Sequence, residues 1–318
     1  MPSPTGVPQG DLPPLETGLW LDLIASRCSL FFSEGRLRVL SQALRQRMGQ
    51  LGFRSLVDYY DFVAFRPEGQ AEWPELLNLL LNHETSFLRH APSFDALKGY
   101  VLPQLVADGR TPDAPLRLWS AGCSTGQEPY SLAVAFLDTV GLQGWQVQVS
   151  ASDISPRALE RARRGRYRPF EVRSLPEDNR ARYLHRLDEE HGPVYQVCDA
   201  VRELVQFDAF NLNDPDSYGV GGQDAIFCQN VLIYFAPDAR AKIVGHLAER
   251  LNPGGYLFLG PAEAMGLRAA GLEPVRLESA LIYRRPPTSD TVNARQATST
   301  ATRPRAWITT GIFNGQTS

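Results

Sequence analysis

The sequence predicts an α/β fold: a mainly parallel, seven-stranded, Rossmann-like sheet preceded by an all-helical N-terminal domain. Three observations predict it. Before Leu116 the apolar residues recur at helical steps and no β-branched alternation appears. From Leu116 short apolar runs alternate with helical ones, the pattern of a parallel sheet covered on both faces. The run Leu118-Trp-Ser-Ala-Gly-Cys-Ser-Thr-Gly126 reads as a buried strand that breaks into a glycine-bearing turn, after which Gln127-Glu128-Pro129 starts a helix.

The elements follow in order. Residues 1–18, rich in Pro and Gly and without an apolar signal-peptide core, are expected to form a disordered tail. Residues 19–92 are expected to form the helical domain. Leu37, Leu40, Leu44, Met48 and Leu51 recur at three- and four-residue steps, which is one helix face. Gly52 then marks a turn, Ser55 an N-cap for a helix over Leu56–Phe65, and Glu75–Leu81 a third apolar turn. Residues 93–286 are expected to hold the α/β domain. Its strands are read at Leu116–Ala121, Trp145–Ser152, Leu204–Leu212, Ala225–Cys228 and Tyr256–Gly260, with a terminal hairpin over Glu273–Arg285. Its helices are read at Pro129–Val140, Pro156–Arg164 and Ala239–Leu251, the last stopped by Asn252-Pro-Gly-Gly255. Over about residues 168–204 the alternation is interrupted by a small inserted β-subdomain, helical over Leu175–Leu187 and with short antiparallel strands in Gly192–Val197. Residues 287–318 are expected to be a second disordered tail around an apolar island, Trp307–Phe313.

Composition narrows the class. With 43% hydrophobic and 21% charged residues the chain reads as a soluble globular protein of one large or two modest domains. A net charge of −3 supplies no global attraction to nucleic acid or membrane. No apolar run is long enough to span a bilayer, so direct membrane insertion is not expected. Cys28, Cys123, Cys198 and Cys228 are far apart and form no C-x-x-C pair, which predicts free thiols in a reducing cytoplasm and no metal site.

The glycine turn carries the ligand argument. Two glycines let a ligand approach the backbone, and the following helix points unpaired N–H groups at it. The spacing is G-x-x-x-G, which does not favour a dinucleotide, and the G-K-[ST] of a phosphate loop is missing. What remains is a nucleoside without phosphate, S-adenosylmethionine foremost. A glycine turn in an ordinary α/β domain is the competing reading. Asp153 ends the second strand, where a carboxylate accepts from both ribose hydroxyls; a helix N-cap is its alternative. Glu128, in the first turn after the glycines, can pair with the ammonium of a bound amino-acid moiety or simply complement the helix dipole. Asn211 and Asn230 end the third and fourth strands at the sheet edge where ligands sit. Tyr234 can line a transfer site or pack in the core.

Four blocks in order resemble one family. They are Thr85-Ser-Phe-Leu-Arg89, Trp119-Ser-Ala-Gly-Cys-Ser-Thr-Gly-Gln-Glu-Pro-Tyr-Ser131, Ser152-Asp-Ile-Ser-Pro-Arg-Ala-Leu-Glu-Arg-Ala-Arg163 with Gly165 and Tyr167, and Asp224-Ala-Ile-Phe-Cys-Gln-Asn-Val-Leu-Ile-Tyr-Phe235. Together they resemble the CheR-type chemotaxis receptor glutamate O-methyltransferases over about Leu19 to Arg285. The resemblance implies the S-adenosylmethionine-dependent methyltransferase version of the sheet, with S-adenosylhomocysteine as product. It implies cofactor contacts at Thr85, Arg89, Glu128, Asp153, Asn211, Leu212, Gln229 and Asn230, and places Arg89 and Tyr234 at the reacting centre. His83 stands where the family has the Asn of an Asn-x-Thr segment, with Asn82 just before it. Gln127-Glu128 replaces the usual double Glu, and Gln229-Asn230 the usual Arg-Asn pair.

The implied partner is the cytoplasmic domain of methyl-accepting chemoreceptors, met by a cytoplasmic monomer. A glutamate carboxylate is already ionised at neutral pH, so transfer needs alignment and no general base. Arg89 is expected to orient that carboxylate with its two-pronged guanidinium. Two arginine-rich stretches, Arg27 to Arg54 and Arg161 to Arg173, read as solvated helix faces or as surfaces for acidic receptor helices. A non-catalytic cofactor-binding regulator is the alternative function. Nucleic-acid methylation is not expected, because the strand-four segment lacks Pro-Pro-Tyr and no basic strip is interleaved with aromatics.

Overall fold

The computed structural model describes residues 12–139, 141–214, 219–265 and 271–287. The readings made for residues 1–11 and 288–318, the Trp307–Phe313 island included, lie outside the described residues.

Four helices build the first layer: α1 (Pro14–Cys28), α2 (Leu37–Leu51), α3 (Leu56–Phe65) and α4 (Gly69–Leu80). Helix α1 begins inside the stretch read as tail. Pro14 sits in its first turn, where a missing N–H leaves nothing unpaired, and Trp20 and Ile24 bury their side chains. The periodic face of α2 packs as Leu40, Leu44 and Met48 against Trp20, Tyr59, Val63 and Leu76. Each such burial contributes about 1.5–3 kcal/mol. Leu51 is exposed, because Gly52 (φ 79°) ends the helix there. Ser55 caps α3 by accepting from Asp58 N.

Helix α5 (Ala91–Ala96), a π-helical stretch Leu97–Val101 and α6 (Leu102–Ala107) lead to the sheet. The chain then runs β1 (Leu116–Ala121), α7 (Gln127–Leu137), β2 (Val147–Asp153) and α8 (Pro156–Arg164). The insert follows as β3 (Arg166–Tyr167), α9 (Glu177–Tyr183), β4 (Leu184–Glu189), β5 (Gly192–Val197) and α10 (Asp199–Arg202). Strands β6 (Val205–Ala209) and β7 (Gln223–Cys228), helix α11 (Pro237–Arg250), β8 (Leu251–Leu259), α12 (Pro261–Ala264), β9 (Glu273–Arg276) and β10 (Leu281–Arg284) complete the domain.

The main sheet has seven strands in the order β6-β2-β1-β7-β8-β10-β9. It is parallel through β8; β10 alone runs the other way, pairing antiparallel with both β8 and β9. Its residues alternate between two cores: Leu118, Phe227, Tyr256 and Phe258 face one side, Trp119, Ile226, Cys228 and Leu257 the other. Strand order reverses at β1, so the carboxyl edge beside β1 is the topological switch point.

Three elements differ from their readings. The helix before Asn252-Pro-Gly-Gly255 does stop, at Arg250, but those four residues lie inside β8, which starts at Leu251 instead of Tyr256. Gln223 pairs with Leu251 across a register shift, and Gly254 (φ 81°) supplies the bulge. The helix read over Leu175–Leu187 ends at Tyr183, because Leu184–Glu189 pairs antiparallel with Gly192–Val197. That insert forms its own sheet, β3-β5-β4. The strand read to Leu212 ends at Ala209, opposite Asp153, which leaves Asn211 and Leu212 in the loop beyond the sheet edge.

Candidate active site

The turn after β1 is folded tightly. Gly122 N and Cys123 N both donate to Ser152 O at 2.8 Å. Gly122 lies at φ 88°, and a Cβ there would run into the Val231 side chain. Ser124 is left-handed at φ 49° and donates its N–H to Asp153 Oδ2 at 2.8 Å. Ser155 N donates to Asp153 Oδ1 at 2.9 Å. Asp153 is thus both the anchor of two loops and a carboxylate with a second lone pair on each oxygen. Burial pushes its pKa up, and the N–H donors of Ser155 and Ser124 oppose that rise.

Glu128, in the first turn of α7, accepts from Ser120 Oγ at 2.6 Å. Burial pushes its carboxyl up to about 7; the Ser120 hydrogen bond and Arg89 pull it down, and Glu263 adds to the rise. A buried carboxylate poised near neutrality is ready for a cationic partner.

The segment before α5 forms the opposite wall. Asn82 Oδ1 accepts from Glu84 N, and Arg89 Nη1 donates to Glu84 O at 2.9 Å. Leu88 is left-handed (φ 50°) and donates to Ser131 Oγ, which turns Arg89 toward the cleft. His83 O accepts from Ser124 Oγ at 3.1 Å, and its ring Nε2 is buried without a hydrogen-bond partner among the described residues.

The third wall follows β7. Asn230 is held at φ 61° because its N–H, with those of Gly260 and Ile233, donates to the Glu263 carboxylate. Gln229 Nε2 donates to Ser93 Oγ at 2.8 Å. Tyr234 lies under the Arg36 guanidinium, 4.7 Å from the ring centroid. Burial pushes its phenol up, with Arg36 and Arg89 opposing, so it stays a neutral hydroxyl. The helical domain is latched here. Phe31 N donates to Tyr234 O at 2.8 Å, Leu30 bridges Phe235, and Asn211 Nδ2 donates to Arg27 O at 3.0 Å.

One cleft of about 1000 Å³, its open mouth counted, is lined by His83, Thr85, Arg89, Glu128, Asp153, Asn211, Leu212, Gln229, Asn230 and Tyr234. Every residue singled out from the sequence therefore meets on it, joined by the apolar Leu30, Leu81, Ile154, Phe210 and Val231. The amides of Asn211 and Gln229 are already engaged within the protein, the first by Arg27 O and Asn213 N, the second by Ser93 and Leu259. Sequence reasoning missed Ser120 and Glu263. A hydroxyl in a mostly apolar strand was the available signal for Ser120; an acid three residues after Gly260, placed to accept from the Gly260 N–H at the start of a short helix, was the signal for Glu263. Among the described residues no group of three or more His, Cys, Asp or Glu could hold a metal ion.

The donor set fits S-adenosylmethionine. The close turn at Gly122, the unpartnered His83 Nε2, an acid at the end of β2 and a second acid near neutrality match a nucleoside joined to an amino acid. Fold and cleft define a Rossmann-like, S-adenosylmethionine-dependent methyltransferase. Comparison with known proteins takes this further. Residues 83–279 match the family described as "CheR methyltransferase, SAM binding domain", and residues 16–81 match "CheR methyltransferase, all-alpha domain". The chain belongs to the CheR methyltransferase family. It is 32% identical to "Chemotaxis protein methyltransferase Cher2" of Pseudomonas putida, over 81% of this chain and 93% of the relative. It is 34% identical to "Chemotaxis protein methyltransferase 1" of Pseudomonas aeruginosa, over 81% and 93%. It is also 33% identical to "Probable biofilm formation methyltransferase WspC" of the same species, over 89% of this chain and 65% of the relative.

Proposed function

We propose that this chain is a protein-glutamate O-methyltransferase that acts, as a cytoplasmic monomer, on the cytoplasmic domains of methyl-accepting chemoreceptors. The observation that carries the reading is the placement of Arg89 and Tyr234 on the same cleft as Glu128 and Asp153. Relatives named for chemotaxis support the receptor as acceptor.

S-adenosylmethionine, when bound, supplies a methyl group on an electron-poor sulfonium. Asp153 accepts from the ribose hydroxyls through the lone pairs that Ser124 and Ser155 leave free. Glu128 pairs with the amino-acid ammonium. His83, Thr85, Asn211, Leu212, Gln229 and Asn230 bound the remainder of the cofactor, with apolar walls excluding water. Arg89, with one nitrogen tied to Glu84 O, turns its other N–H groups to the acceptor carboxylate. It aligns an oxygen that is already ionised, and alignment supplies several kcal/mol of barrier reduction. Tyr234 closes the far side as a neutral donor.

The test is transfer of tritiated methyl to a purified chemoreceptor cytoplasmic fragment, with the acceptor mapped by mass spectrometry. Label on glutamate is expected. Cofactor binding without transfer would support a non-catalytic regulator instead, and label on another side chain would reject the glutamate assignment.

A further inference from the structure

A second groove adjoins the cleft and shares His83, Glu84, Thr85, Ser86 and Arg89 with it. Its outer wall is the loop after β3, which carries Phe170 and Arg173, with Arg161 of α8 beside it. The loop is firmly anchored. Val172 and Leu175 are buried, and Ser174 Oγ donates to Phe87 O at 2.6 Å, inside the segment that carries Arg89. With these residues pinned inward, Phe170 is left 67% exposed. An exposed aromatic on an anchored loop beside a reacting centre is placed for contact with a partner.

Charge on this wall is equally selective. Arg157, Arg161, Arg164 and Arg166 are each paired with a glutamate. Arg163 and Arg168 donate to the main-chain carbonyls of Phe207 and His191. Arg173 is exposed and has no hydrogen bond or ion pair among the described residues. The groove therefore presents Arg89 at its inner end and an uncommitted Arg173 at its outer end. Glu171 between them is neutralised by Arg161 at 2.5 Å. Glu84 lines both the groove and the cleft, with its carbonyl accepting from Arg89.

We infer that this groove seats an acidic peptide segment of the acceptor protein, with the target carboxylate at Arg89, a small or apolar side chain against Phe170 and a second acidic side chain on Arg173. The inference rests on the glutamate acceptor proposed above. It also narrows the arginine-rich stretch to one residue whose charge is free to read a partner.

The experiment measures acceptor KM, kcat and S-adenosylhomocysteine affinity for F170A, R173E and R173K, with a purified chemoreceptor cytoplasmic fragment and tritiated S-adenosylmethionine. F170A and R173E are each expected to raise KM about tenfold while leaving kcat and calorimetric affinity within about twofold. R173K is expected to keep KM near that of the unaltered protein, because an exposed pair needs charge more than a fork. Unchanged KM in both F170A and R173E, with normal labelling by the unaltered protein, would overturn the groove alone. Loss of S-adenosylhomocysteine affinity in step with methylation would also overturn it, since the change would then act through the cofactor site. No label on any glutamate from the unaltered protein would overturn the functional reading and the groove with it.

Discussion

Ser120 Oγ donates to Glu128 Oε1 across 2.6 Å, from the carboxyl end of β1 to the first turn of α7. The bond favours the ionised form of a carboxyl that burial pushes up to about 7. Pairing with an ammonium requires that ionised form. S-adenosylhomocysteine affinity is therefore expected to weaken as pH falls through about 7, approaching tenfold per pH unit. Titration calorimetry between about pH 6 and about pH 8 reads this. S120A should move the midpoint upward, and E128Q should flatten the profile. A flat profile in the unaltered protein would remove Glu128 from the ammonium.

The same carboxyl affects stability with the opposite sense to a salt-bridged acid. Its pKa is raised on folding, so the folded state holds a proton that the unfolded chain releases at lower pH. Stability of the cofactor-free protein should fall as pH rises from the ordinary carboxyl range to about 7, and level off above it. Thermal unfolding across that window should show the fall, and E128Q should lack it.

Asp153 joins the glycine turn to the start of α8 by accepting from Ser124 N and Ser155 N. D153A should weaken S-adenosylhomocysteine binding by about 2 kcal/mol, since hydrogen bonds to a charged acceptor are lost and the turn loosens. D153N should retain part of the affinity, because an amide oxygen still accepts one N–H. Unaltered calorimetric affinity in D153A would exclude the ribose role.

Arg89 is held by Glu84 O at one nitrogen and by the left-handed Leu88 before it. R89K keeps the charge and loses the fork. Turnover should drop by about tenfold to a hundredfold, with cofactor affinity much less changed. Equal turnover in R89K and the unaltered protein would leave Arg89 only a structural task.

Arg36 spans the two domains. It lies over the rings of both Phe32 and Tyr234 at 4.7 Å and donates to Phe31 O and Leu80 O. R36A should lower stability by about 1–2 kcal/mol, read by denaturant unfolding. It should also reduce turnover, because Tyr234 loses the cation that fixes its ring. Unchanged stability and turnover together would show that the latch rests on the Leu30–Phe235 bridge and the hydrogen bonds of Phe31 N to Tyr234 O and Asn211 Nδ2 to Arg27 O, without Arg36.

Much of this protein is written in neighbouring residues. Strand β1, helix α8, the turn between Gly122 and Gly126 and the acid at the end of β2 were all legible, because periodicity, caps and left-handed turns depend on residues close in the chain. The ten residues expected at the site line one cleft; Asp153, Asn211 and Asn230 were read from strand ends and Glu128 from the turn after the glycines, whereas Thr85, Arg89, Leu212 and Gln229 came only from the family resemblance.

Other features were decided only when distant segments met. Asn252-Pro-Gly-Gly255 became part of a bulged strand because Gln223 offered a partner, and Leu184–Glu189 left its helical pattern to pair with Gly192–Val197. The amides of Asn211 and Gln229 were committed to Arg27 O and Ser93, Glu128 accepted a hydrogen bond from Ser120, and Arg161, Arg164 and Arg166 of the arginine run were paired with glutamates. The cause is the same in each case. A hydrogen bond or ion pair depends on a partner many residues away, and the position of that partner is set by the packing of the whole sheet.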